Sequence, residues 1–169
     1  MSLTYTTFTT AWGPMGAVAE DGELIRVVLP PYQRDDLAAL LAFEHTGAEP
    51  DDAAFDILIE RCRNYFNGQA TSFDDIACRL PGANAFGGKV LSVCRAIPFG
   101  QTFSYSQVAR EIGNEDAARA VATILGKNAI PLIVPCHRVI YANGEAGGFS
   151  AEGGVAMKQR MLAMEASAR

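Results

Sequence analysis

The feature that most constrains this chain is a change of rhythm at Pro81-Gly82. Before it, short apolar runs are separated by turn dipeptides. Residues 8–12, 17–19 and 24–29 read as strands, with Gly13-Pro14 and Asp21-Gly22 as the turns between them. Two helices follow at 33–43 and 53–66, the second capped by Asp51 or Asp52 and closed by Asn67-Gly68. Residues 79–85 read as a linker. Beyond them the apolar spacing turns helical, as in 88–97, where Val90, Val93, Cys94 and Ile97 share one face. The expected architecture is α+β. A small α/β N-terminal domain occupies residues 1–80, and a mainly helical, helix-turn-helix C-terminal domain occupies 81–169.

The charge follows the same division. The 169 residues carry a net charge of −5. Residues 1–80 hold 5 Lys/Arg against 13 Asp/Glu, whereas 81–169 hold 9 against 6. Contact with a phosphate backbone is therefore expected of the C-terminal domain. With 49% hydrophobic and 20% charged residues, the composition is that of a globular protein. No secretory leader and no membrane-length apolar run is visible, so a cytoplasmic protein is expected (nuclear in a eukaryote), with no membrane partner. In that setting Cys62, Cys78, Cys94 and Cys136 are reduced. Their wide spacing, with only His45 and His137 to join them, gives no zinc pattern.

After Pro98-Phe99-Gly100 comes a pair of short helices. Ser104 and Gln107 have capping-box spacing, and Val108, Ala109 and Ile112 form the buried face of the first helix. Gly113-Asn114 is the turn, with Asn114 as a cap for the second helix, which runs to about Gly126. Ala117, Val121, Ile124 and Leu125 face its core, while Asp116, Arg119, Thr123 and Lys127 fall on the other side. This spacing fits a DNA-reading helix-turn-helix and equally an ordinary αα-hairpin with a solvated face.

Chemistry concentrates where an apolar, strand-like run ends in Pro135-Cys136-His137. A thiolate is a nucleophile, and a thiol with a pKa of about 8.5 needs a base to become one at neutral pH. Neighbours on a strand point opposite ways, so Cys136 and His137 cooperate only if the backbone turns there or a water links them. A buried structural cysteine beside a surface histidine is the other reading. In a helix over 155–166, Glu165 lies between Met161 and Leu162, where a carboxylate calls for a partner such as a histidine.

Pro135-Cys136-His137-Arg138-Val139 resembles the active-site motif of the O6-alkylguanine-DNA alkyltransferases. Ile97-Pro98-Phe99-Gly100-Gln101-Thr102-Phe103-Ser104-Tyr105 resembles that family's approach to its helix-turn-helix, and Ala117-Ala118-Arg119-Ala120-Val121 the start of its recognition helix. Asn128 stands at the family's hinge asparagine. The likeness runs from about Tyr65 to Glu165, and more weakly through the N-terminal half. It implies a ribonuclease-H-like N-terminal domain and a winged-helix-like C-terminal one. It also implies a monomer that binds double-stranded DNA containing O6-alkylguanine through the minor groove, with the damaged base flipped out.

The resemblance further implies a single, irreversible alkyl transfer to Cys136. His137 acts as base through a water, Glu165 orients the imidazole, and Tyr105 gives a proton to the departing guanine. Arg119 is the finger that fills the vacated stack. Ala118, Thr123 and Lys127 lie along the DNA, with Ala118 and Ala122 small enough for close approach. Val139, Phe149 and Ser150 line the base pocket. No cofactor is implied. The family's zinc uses N-terminal Cys and His ligands, and no matching set is present. Four positions depart from the family: Phe149 replaces a tyrosine, Ala129 a proline, Ala122-Thr123 a glycine pair, and Leu91 a tryptophan. Two other classes remain open on sequence, a lesion-binding protein without catalysis and a thiol hydrolase built on Cys136 and His137.

Overall fold

Three strands, each entering the next through a tight turn, open the computed structural model, which describes residues 2–168. β1 (Leu3–Thr10) pairs antiparallel with β2 (Gly13–Glu20) along its whole length, from Leu3 opposite Glu20 to Thr10 opposite Gly13. β2 pairs antiparallel with β3 (Glu23–Val28), with a bulge between Val18 and Ala19. The Asp21-Gly22 turn has both residues at positive φ, 52° and 82°, the conformation whose twist suits a two-residue hairpin. β4 (Glu49–Pro50) lies parallel to β1, giving the order β3-β2-β1-β4.

β1 reaches five residues further toward the N-terminus than the spacing predicts and stops at Thr10. Trp12 therefore belongs to the turn, where its ring packs 5.1 Å from that of Phe66. Helix α1 (Leu37–Glu44) starts four residues later than expected. The carboxylate of Asp36, at its N-cap, is engaged by Arg34 and by the Tyr32 hydroxyl instead of by the helix amides. Leu37 and Leu41 seat α1 against Val18 and Val28. A 3₁₀ turn (Asp52–Phe55) leads into α2 (Asp56–Phe66), which packs on β1. Asp51, not Asp52, is the cap and accepts from the Ala54 amide, while Asp52 accepts from the Thr6 hydroxyl. Residues 1–79 form one compact unit and 80–169 another.

In the second unit α3 (Phe86–Arg95), α4 (Tyr105–Glu111) and α5 (Ala118–Leu125) pack on one another. Leu91 joins Val90 and Cys94 in the core of α3, and Val93 is only half-buried. The Ser104/Gln107 capping box is complete: the Ser104 hydroxyl accepts from the Gln107 amide, and the Gln107 side chain accepts from the Ser104 amide. Asn114 precedes a 3₁₀ turn (Glu115–Ala117) but makes no side-chain cap, so α5 begins without the expected asparagine bond. The buried face of α5 is Val121 and Leu125, with Ala117 just before it, and its polar stripe is exposed as expected. β5 (Phe103–Ser104) and β6 (Val139–Ile140) form a short parallel pair, and α6 (Gly154–Ser167) closes the unit. Among the described residues no helix is long and apolar enough to cross a membrane.

Candidate functional site

The apolar run before Cys136 is not a strand. Residues 130–135 fold into a buried turn in which Leu132 takes φ 75°, and the Val134 amide donates to the Ile130 carbonyl at 3.1 Å. Asn128 fastens it from both ends: its Oδ1 accepts from the Ile130 amide at 3.1 Å, and its Nδ2 donates to the Val134 carbonyl at 2.9 Å. The chain then enters a 3₁₀ helix, Cys136–Arg138. Successive side chains on such a turn step by about 120° instead of the opposed directions of a strand, so Cys136 and His137 are not forced onto opposite faces.

One carboxylate collects what this turn presents. Glu165, on the buried face of α6, accepts from His137 Nε2 at 2.5 Å, from Arg138 Nε at 2.8 Å and Nη2 at 3.3 Å, and from the Gly100 amide at 3.0 Å. Arg138 Nη1 donates to the Ile97 carbonyl at 2.7 Å, and its guanidinium lies 5.8 Å from the centre of the Phe99 ring. The stop after α3 is thereby tied to the site. Burial alone would raise the Glu165 pKa, but the hydrogen bonds from His137 and Arg138 and the Arg138 charge outweigh it and hold it at about 2. His137 is fully buried, and burial moves its pKa down against the pull of Glu165. The imidazole is therefore neutral at pH 7. With Nε2–H given to Glu165, Nδ1 carries the lone pair.

Cys136 lies on the floor of a cavity of about 500 Å³. Burial raises its thiol pKa, while a hydrogen bond from Asn128 and the charge of Lys158 act in the opposite sense. The group is thus a thiol at rest and needs a base to act. Tyr105, Arg119, Thr123, Phe149 and Ser150 line the same cavity, so six of the residues expected at the site converge there. His137, Glu165 and Asn128 lie outside the lining. Val139 is buried outside the lining, and its carbonyl accepts from Lys158 Nζ at 2.7 Å. Ala118 and Lys127 also lie outside the lining, with Lys127 exposed.

Lys158, absent from the sequence expectations, is fully buried. Its ammonium donates to the carbonyls of Val139 and Gly148 (3.3 Å) and to the Tyr105 hydroxyl (3.4 Å), pinning two walls of the cavity to α6. Burial lowers its pKa to about 8. The signal was available: Lys158 falls beside Met157 and seven residues before Glu165, on the same apolar face of α6. Arg138 carried no such signal, since a cation next to His137 reads equally as solvated. Burial pushes the Tyr105 hydroxyl up to about 12, which keeps it a proton donor at neutral pH. Gly147, at φ 77°, leaves room for that hydroxyl, because a Cβ there would stand 2.7 Å from it.

The chain is similar to known proteins in both sequence and fold. Residues 85–167 match the family model for the 6-O-methylguanine DNA methyltransferase DNA-binding domain. A methylated-DNA–protein-cysteine methyltransferase of Metallosphaera sedula is 33% identical over 165 residues, covering 98% of this chain and 94% of that protein. The protein of the same name from Mycolicibacterium paratuberculosis is 42% identical over 120 residues, 71% of this chain and 70% of that one. The crystal structure of Mycobacterium tuberculosis OGT in complex with DNA superposes with a TM-score of 0.80 at 33% identity, covering 97% of this chain and 93% of that one. The fold is the mixed α/β architecture of those structures, a small sheet and several helices. The chain belongs to the methylated-DNA–protein-cysteine methyltransferase family.

Proposed function

We propose that this chain repairs DNA by transferring the alkyl group of O6-alkylguanine to Cys136. The observation that carries this is the thiol of Cys136 on the floor of a base-sized cavity, backed by the buried His137–Glu165 pair. In the reaction the Cys136 proton passes through a water to His137 Nδ1, and Sγ attacks the alkyl carbon in line. A carbon–sulfur bond forms as the carbon–oxygen bond breaks. Tyr105 gives a proton to the departing guanine, which leaves neutral. The thioether has no leaving group, so each molecule reacts once. No cofactor enters this chemistry.

The helix-turn-helix formed by α4 and α5, within a winged-helix-like domain spanning 81–169, presents Arg119 to the minor groove of duplex DNA. The target atom is shielded inside the stack, and Arg119 holds open the place of the flipped nucleotide. Ala118, Thr123 and Lys127 follow the backbone, and Phe149, Ser150 and Val139 enclose the base. Residues 1–80 form the ribonuclease-H-like companion domain. The protein acts as a monomer in the cytoplasm.

The test is intact mass after incubation with a duplex carrying O6-methylguanine, beside a Cys136→Ala control. Gain of one methyl group per chain, absent from the control, is the expected result. No gain by a folded, reduced protein overturns the transfer and leaves a lesion-binding protein. Repeated turnover would point to a hydrolase.

A further inference from the structure

The cavity above Cys136 has an aromatic wall to which nothing so far gives a role. Tyr141 is 50% exposed, and it lines the cavity. A half-exposed aromatic at a cavity mouth keeps a large apolar face in water, a face that a flat ligand would cover. Its backbone is fixed before any ligand arrives. The Tyr141 amide donates to the Glu145 carbonyl, and the Gly144 amide donates back to the Tyr141 carbonyl, each at 2.9 Å. The Glu145 amide donates to Asn143 Oδ1 at 3.0 Å and closes the loop. On the other side Ile140 is held in β6 opposite Ser104.

The ring is positioned as well. It packs against Tyr105 with centroids 5.1 Å apart and planes inclined at 53°. The contact covers part of the Tyr141 ring, and half of the residue stays exposed where it lines the cavity. The same cavity is lined by Arg119 and Thr123 of α5 and by Phe149. A half-exposed ring in the lining of a cavity of about 500 Å³ suits a planar heteroaromatic ligand, because π-faces stack whatever the base.

We propose that Tyr141 is the stacking platform for the extrahelical purine, a contact that selects for a flipped base and is independent of the duplex around it. The assignment rests on the flipped-base reading above. The phenol oxygen is dispensable to it and the ring is not. Arg119 serves the duplex that the base has left, and Tyr141 serves the base itself.

The experiment is an NMR titration with O6-methyl-2′-deoxyguanosine, which carries no duplex, in a Cys136→Ala background that cannot be alkylated at that position. Adding Tyr141→Ala is expected to weaken binding about tenfold, within the range measured for loss of one base–aromatic stack. Tyr141→Phe is expected to retain the parent affinity. Equal affinity of the parent and the Ala variant, loss with the Phe variant, or no binding by the parent would each overturn the assignment. Tyr141 is half-exposed, so a melting curve suffices to show that the variants fold. Mass analysis of the Cys136-intact protein runs beside it. Methyl transfer with unchanged nucleoside affinity would refute Tyr141 alone. Weakened affinity without any transfer would refute the transfer reading and leave the platform standing.

Discussion

Replacing Glu165 by glutamine keeps the shape of the buried network and removes its charge. In the folded chain this carboxylate ionises at about 2 against an ordinary value of 4.5. Each factor of ten in proton affinity is worth about 1.4 kcal/mol, so the charged form contributes about 3 kcal/mol to folding at pH 7. That agrees with the ~3–5 kcal/mol typical of breaking a buried ion pair, here by stranding Arg138. The sign is fixed by the direction of the shift. A depressed carboxylate stabilises above its unfolded value and loses that contribution as pH falls toward its folded value. Urea denaturation should therefore place Glu165→Gln about 3 kcal/mol below the parent at pH 7, and the gap should narrow by about 2 kcal/mol between pH 5 and pH 3. A gap under about 1 kcal/mol at pH 7, or one unchanged at pH 3, would refute the claim that the charge of Glu165 holds the network together.

Arg119→Ala should slow alkyl transfer from duplex DNA by about tenfold or more, because the vacated stack is no longer held open, and should spare transfer from free O6-alkylguanine. Equal losses on both substrates, followed by mass spectrometry, would remove the finger role. For Lys158 the folded pKa of about 8 lies below the ordinary 10.5. The unfolded chain then holds this proton longer, and stability relative to Lys158→Met should rise between pH 8 and pH 10. A gap that stays flat over that range in urea titrations would contradict the burial of the ammonium.

What could be read from the residues was whatever local chemistry alone decides. Asp21-Gly22 announces a hairpin turn, since few other pairs take two positive φ values cheaply. Ser104 and Gln107 announce a helix start because the box closes within four residues. Glu165 was legible for a different reason: a carboxylate on an apolar helix face implies a partner, and His137 is that partner. The turn at 130–135 was not legible. An apolar run buried on every side shows no alternation that separates a strand from a compact turn, and the deciding contacts come from Asn128. Tyr141 stayed hidden because its meaning depends on a cavity assembled from Tyr105, α5, Cys136 and residues 148–150, which are far apart in sequence.

The arrangement around Glu165 also explains why the proposed base is flanked by an arginine. A lone carboxylate beside a buried histidine favours the imidazolium, which cannot accept a proton. Arg138 contacts the same carboxylate through two nitrogens and supplies the compensating charge. Its field also lowers the His137 pKa, adding to the effect of burial. Glu165 is then free to orient the ring by accepting from Nε2 without drawing a second proton onto it. The 3₁₀ turn makes this possible, because it brings His137 and Arg138, consecutive in sequence, to one carboxylate while Cys136 faces the cavity. On a strand, His137 and Arg138 would diverge, and the proposed base would lose either its orientation or its neutrality.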